Sequence, residues 1–102
     1  MNKPPDHIGK NGSAKFPDGE VRGYTIVDEI KHRQSTYGGK FFYLQKIKFD
    51  DGVLEYRFCY YIIGKKPSVK GRWVFGQFAP LIPKRDFEAI IKKAVRKGFI
   101  NG

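Results

Sequence analysis

The chain has 102 residues, 40% hydrophobic and 16% aromatic, enough for one small domain with a modest core and too little for two. No run approaches the ~18 consecutive apolar residues of a spanning helix, and the amino terminus lacks the apolar centre of a secretory signal; a soluble cytoplasmic or other intracellular protein, not a membrane one, is expected. Lys and Arg number 20 against 10 Asp and Glu, a formal net charge of +10, and a single cysteine, Cys59, excludes an intramolecular disulfide and a cysteine-built metal site.

Residues 1–19 are rich in Pro, Gly and small polar residues, with Ile8 and Phe16 as sizeable apolar anchors after Met1. This composition predicts a flexible N-terminal arm, followed by a single domain over residues 20–102.

From Glu20 to Arg33 the alternation of Tyr24, Ile26 and Ile30 with Thr25, Val27, Glu29, Lys31 and Arg33 predicts a first strand. Asp28 is the odd polar residue on the inward parity. Gln34 to Gly39 ends in paired glycines suited to a hairpin turn, and Lys40 to Phe49 reads as a second strand. Asp50, Asp51 and Gly52 make another turn. The third strand then places Leu54, Tyr56, Phe58, Tyr60 and Ile62 on one side and Glu55, Arg57, Cys59 and Tyr61 on the other.

Gly64 breaks that run, and Lys65, Lys66, Pro67, Ser68, Val69, Lys70 and Gly71 form a basic loop. A fourth strand begins at Arg72 and carries apolar groups on both parities in Trp73, Val74 and Phe75, with Gly76 marking a bulge or a close backbone approach. After Pro80 and Pro83 a helix starts near Lys84. Its apolar residues Phe87, Ile90, Ile91, Ala94 and Val95 recur at helical spacing, and Gly98 stands where a left-handed residue ends a helix. Asp86 and Glu88 near its start and Arg96 and Lys97 near its end suit the macrodipole.

The expected architecture is therefore α+β: a four-stranded antiparallel β-meander followed by one C-terminal helix packed on the sheet, β-β-β-β-α, preceded by the arm. This element order resembles that of the single-stranded-DNA-binding transcriptional coactivators and the whirly fold. The resemblance is one of topology, and it carries no residue over.

Charge is unevenly spread: residues 64–102 hold ten cations and two anions. A concentrated positive face draws polyanions, of which nucleic acid is the commonest inside cells. Cations on phosphates and aromatic faces on bases are the means by which single strands are held. Arg57, Tyr61, Lys65, Lys66, Lys70, Arg72 and Trp73 are the candidate nucleic-acid-binding residues on that ground, although large aromatics ordinarily bury and loop lysines ordinarily solvate. Lys92, Lys93, Arg96 and Lys97, beside Lys84 and Arg85, form a second basic surface on the helix. That helix is committed to the sheet by its apolar stripe, so single-stranded DNA or RNA ranks above duplex.

Catalysis lacks a motif. His7 and His32 have no evident nucleophile or ligand set, Asp50, Asp51 and Glu55 beside Arg57 are better explained by turn chemistry than as a magnesium cluster, and Gly38 to Lys40 lacks phosphate-loop spacing. The expectation is a non-catalytic nucleic-acid-binding protein without metal, cofactor or small-molecule substrate. The competing reading is a protein-interaction or homodimerisation module, regulatory or inhibitory, that uses an aromatic sheet edge and the basic surface.

Overall fold

The computed structural model describes residues 3–76 and 78–100 and is α+β. Five strands, β1 (Asn11–Lys15), β2 (Val21–Arg33), β3 (Lys40–Phe49), β4 (Leu54–Ile63) and β5 (Trp73–Phe75), pair antiparallel in chain order as a curled half-barrel, and one helix, α1 (Lys84–Arg96), follows. The sheet thus has one strand more than the four expected. The extra strand comes from the stretch assigned to the arm: Asn11 to Lys15 lies antiparallel to Val21 to Thr25. It is short and polar, so backbone pairing along β2 holds it, with Ala14 and Phe16 supplying its apolar contacts.

The strand β2 does not keep one parity. Its register against β3 shifts between Ile26 and Asp28, so Val27 is an extra, outward-bulged residue. Before the bulge Tyr24 and Ile26 face away from the helix and cluster with Ile47, Phe49, Ala14 and Phe16. After it Ile30 faces the helix and joins Phe42, Leu44, Tyr60, Ile90, Ala94 and Phe99 in the main core. The single apolar parity expected for Tyr24, Ile26 and Ile30 is corrected accordingly. The bulge turns Asp28 to the helix side, where Lys97 Nζ donates to it at 2.7 Å.

Helix α1 begins at Lys84 as expected. Gly98 adopts a φ of 75° and the Phe99 N–H then reaches Ala94 O at 2.8 Å, which returns the Phe99 ring to the core. The buried stripe is Asp86, Ile90 and Ala94, whereas Phe87 and Val95, expected inside, are 43% and 42% exposed. Asp86 shifts the stripe. Its carboxylate accepts bonds from Ser35 N at 3.1 Å, Ser35 Oγ at 3.0 Å and His32 Nε2 at 3.0 Å, tying the first helical turn to the β2–β3 turn. Lys93 Nζ donates to His32 Nδ1 at 2.9 Å from the other side, so the His32 proton sits on Nε2.

No helix among the described residues is long and apolar enough to cross a membrane.

Candidate nucleic-acid interface

In a meander, successive turns fall at opposite ends of the sheet. The β2–β3 turn and the β4–β5 loop therefore share one end, and Arg33, Lys40, Lys65, Lys66, Lys70 and Arg72 collect there. The opposite end carries Asp18, Glu20, Asp50 and Asp51 in the other two turns. Within the basic loop a single 3-10 turn, Pro67–Val69, leaves Lys65, Lys66, Lys70 and Arg72 exposed, with Lys65 Nζ 5.7 Å from the Tyr37 ring centre.

The face turned away from the helix brings the aromatic candidates together. Register sets Arg33 opposite Phe41, Phe41 opposite Tyr61 and Tyr61 opposite Phe75, a straight row across four strands. Trp73 stands beside it, opposite Ile63. The rings interlock edge to face: Tyr61 with Phe75 at 5.5 Å and Phe41 with Trp73 at 5.3 Å between centres. The Arg33 guanidinium lies 5.0 Å from the Phe41 centre, and that of Arg57 lies 6.0 Å from the Phe75 centre. Phe75 is 50% exposed, while Phe41, Tyr61 and Trp73 are half-buried.

Arg57 is less open than its place on the strand predicts. Its Nε and Nη2 donate to Gln45 Oε1 at 3.1 and 2.8 Å, and Nη1 donates to Tyr24 Oη at 3.0 Å. It heads a buried polar chain, because Gln45 Nε2 donates in turn to Glu29 Oε1 at 3.1 Å. Glu29 also accepts the His7 N–H at 2.9 Å and faces His7 Nδ1 at 3.2 Å. Burial raises the pKa values of Tyr43, Tyr61 and Cys59, the Cys59 thiol to about 11, so these groups stay protonated near neutrality.

The helix surface divides. Lys93 and Lys97 are engaged with His32 and Asp28, whereas Lys92 and Arg96 extend from the outer side. Neither group joins the aromatic row, which lies on the other face of the sheet. Asp51 accepts from Arg22 Nη2 at 2.6 Å and from the Val53 N–H at 3.0 Å, the second of these a turn bond. Among the described residues no group of three His, Cys, Asp or Glu side chains is placed to hold a metal ion.

Sequence reasoning missed Arg33 and Phe41. The signal was present: a hairpin closed by Gln34 to Gly39 sets Arg33 near Phe41 and so extends the row begun by Tyr61. It also left His7 in a loose arm, although His7 is buried against Tyr43 and Tyr61. No protein-family model matches this chain, and no match was found among curated proteins or solved structures.

Proposed function

We propose that this chain is a non-catalytic binder of single-stranded nucleic acid, DNA or RNA. The observation that carries the reading is the row Arg33, Phe41, Tyr61 and Phe75 on one face, flanked by Trp73 and ending beside the loop of Lys65, Lys66, Lys70 and Arg72. Aromatic rings on a sheet face give bases a surface to stack on, at about 1–3 kcal/mol per base, with Phe75 the open ring of the row and Tyr61 beneath His7. Cations at one end give the backbone a track. The helix covers the other face, so a strand lying on this one meets no obstacle from it. Arg57 acts mainly by holding Gln45 and the strand β4 in place, with its guanidinium near the Phe75 ring.

The test is a fluorescence-anisotropy titration of labelled single-stranded DNA, RNA and duplex at several salt concentrations, with heparin as competitor. Strand-selective binding that persists near physiological salt and weakens in Phe75→Ala supports the proposal. Binding only at low salt, equal for every polyanion and indifferent to Phe75, overturns it.

A second reading rests on a different surface. On the helix side Leu54, Tyr56, Phe87 and Val95 are exposed, forming an apolar flank between β4 and α1 suited to a homodimer or a protein partner. Sedimentation measurements across a range of concentrations test for self-association, and Tyr56→Lys with Val95→Lys abolishes it if this flank is the interface.

A further inference from the structure

The segment preceding β1 lies on the face that carries the aromatic row, and its contacts have an unusual chemistry. The His7 ring stacks on Tyr61, 4.9 Å between centres and 26° between planes, and meets Tyr43 edge-on at 5.2 Å. Its Nδ1 faces Glu29 Oε1 at 3.2 Å; opposite a carboxylate that nitrogen carries the proton, and the His7 backbone N–H fills Glu29 Oε2 at 2.9 Å. Asp6, the preceding residue, pairs with the Lys31 ammonium. Tyr43 Oη donates to Pro5 O at 2.7 Å.

Two adjacent residues thus place an anion on a lysine and a heteroaromatic ring on a tyrosine. A nucleotide does the same with its phosphate and base. The Glu29 carboxylate is buried and satisfied by N–H donors from His7 and Gln45, an arrangement costly to maintain for packing alone.

We infer that Tyr61, Tyr43, Glu29 and Lys31 form a nucleotide site whose base is guanine, occupied here by the chain's own Asp6 and His7. Guanine presents two neighbouring N–H donors, N1 and N2, on its Watson–Crick edge, matching the two oxygens of Glu29. Adenine and cytosine set a ring acceptor beside their one exocyclic donor, and uracil or thymine flanks its single N–H with carbonyls. Each of those places an acceptor against a buried carboxylate, which rejects it. Lys31, released from Asp6, takes the phosphate. Burial and the nearby Lys3 lower the Lys31 pKa, and Lys3 adds a second positive charge beside the place the phosphate takes. The segment and the nucleotide exclude one another, which makes residues 5–8 a competitor for part of the aromatic face. This inference deepens the single-strand proposal and rests on it for the strand as source of the guanine; a free guanine nucleotide has the same chemistry.

The experiment uses the full chain with Asp6→Ser and His7→Gly together, which removes both mimics. Calorimetric titration with GMP, AMP, CMP and UMP is paired with anisotropy on oligothymidine strands carrying one central guanine or adenine. The expected result is a gain of about tenfold or more for guanine over the wild type and over the other bases, abolished by Glu29→Gln in the same background. Equal affinity for GMP and AMP, and for the guanine and adenine strands, overturns the inference, even if the strands still bind with salt dependence and the aromatic face stands. GMP binding without strand binding supports the slot, names the free nucleotide as its source and removes the strand proposal. Guanine preference on strands without GMP binding names the strand. Should the double variant fail to fold, GMP added to the wild type must shift the His7 ring proton resonances toward those of a solvent-exposed imidazole; no shift at saturating GMP overturns the inference.

Discussion

Gly76 lies against the ring of Tyr60: its N–H donates to Tyr60 O at 2.8 Å, and a Cβ added there would stand 2.1 Å from the nearest ring carbons. Gly76→Ala is therefore expected to destabilise the fold by about 1–3 kcal/mol through overpacking. Urea unfolding checks it. The cost should shrink in a Tyr60→Leu background, since the two changes share one contact; additive costs would show that the clash is not the cause.

Acid should loosen the helix from the sheet. Burial alone would raise the Asp86 pKa, but the bonds from His32 and Ser35 outweigh it and hold the carboxyl below its usual 3.8; Asp28 is likewise lowered, burial opposing and Lys97 and the Glu29 N–H prevailing. A carboxylate with a depressed folded pKa binds fewer protons folded than unfolded. Its contribution is complete above the unfolded value, near 3.8, and is lost as pH falls through the folded value. Unfolding midpoints between pH 6 and 2 should fall on the acid side, with a shallower acid limb in Asp86→Asn. That variant should cost about 1.5–3 kcal/mol near pH 7, the range for hydrogen bonds to a charged group.

The Cys59 thiol should react slowly in the native protein. It is buried, its pKa stands at about 11, and Sγ lies 3.5 Å from Gln45 Oε1, so thiolate is scarce and access is closed. A disulfide reagent at pH 8 should label it at least about a hundredfold faster in guanidinium than in buffer. Equal rates would mean that this face opens readily.

Replacing Lys65, Lys66 and Lys70 with serine should weaken single-strand binding for all sequences alike. The slope of log affinity against log salt should fall by about two, because each single-strand phosphate left without its lysine lowers it by ~0.7. Because all three are loop residues at the surface, the melting temperature should hardly move. An unchanged slope would exclude the loop from the interface.

The long elements are legible in the chain because their side chains report their own burial. Leu54 to Ile62 alternates, Lys84 to Arg96 repeats at helical spacing, and the turns at Gly38–Gly39 and Asp51–Gly52 carry their glycines, so β2, β3, β4 and α1 end within a residue or two of expectation. The edge strand β1 is different in kind. Asn11 to Lys15 offers no apolar alternation because its pairing is a property of β2, which presents unfilled backbone groups to whatever polar stretch returns past it. The Val27 bulge is silent for a related reason: an inserted residue leaves each half of β2 with a sound pattern and alters only their relative phase. Of the candidate interface, the loop cations were readable from charge alone. Arg33 and Phe41 required strand register, and His7 required a contact across 22 positions to Glu29 that no local pattern encodes.

The division of charge along the strands, loop cations unpaired among the described residues about one end of the sheet and carboxylates offset by Lys15, Arg22 and Lys48 about the other, gives the molecule a heading as well as a charge. In the field of a polyanion such a body experiences torque before it experiences contact, and it arrives with its basic end foremost. Salt should therefore shorten the range of attraction and also scramble the angle of approach. The share of encounters that begin with the aromatic face within reach would then decline faster than the collision rate itself.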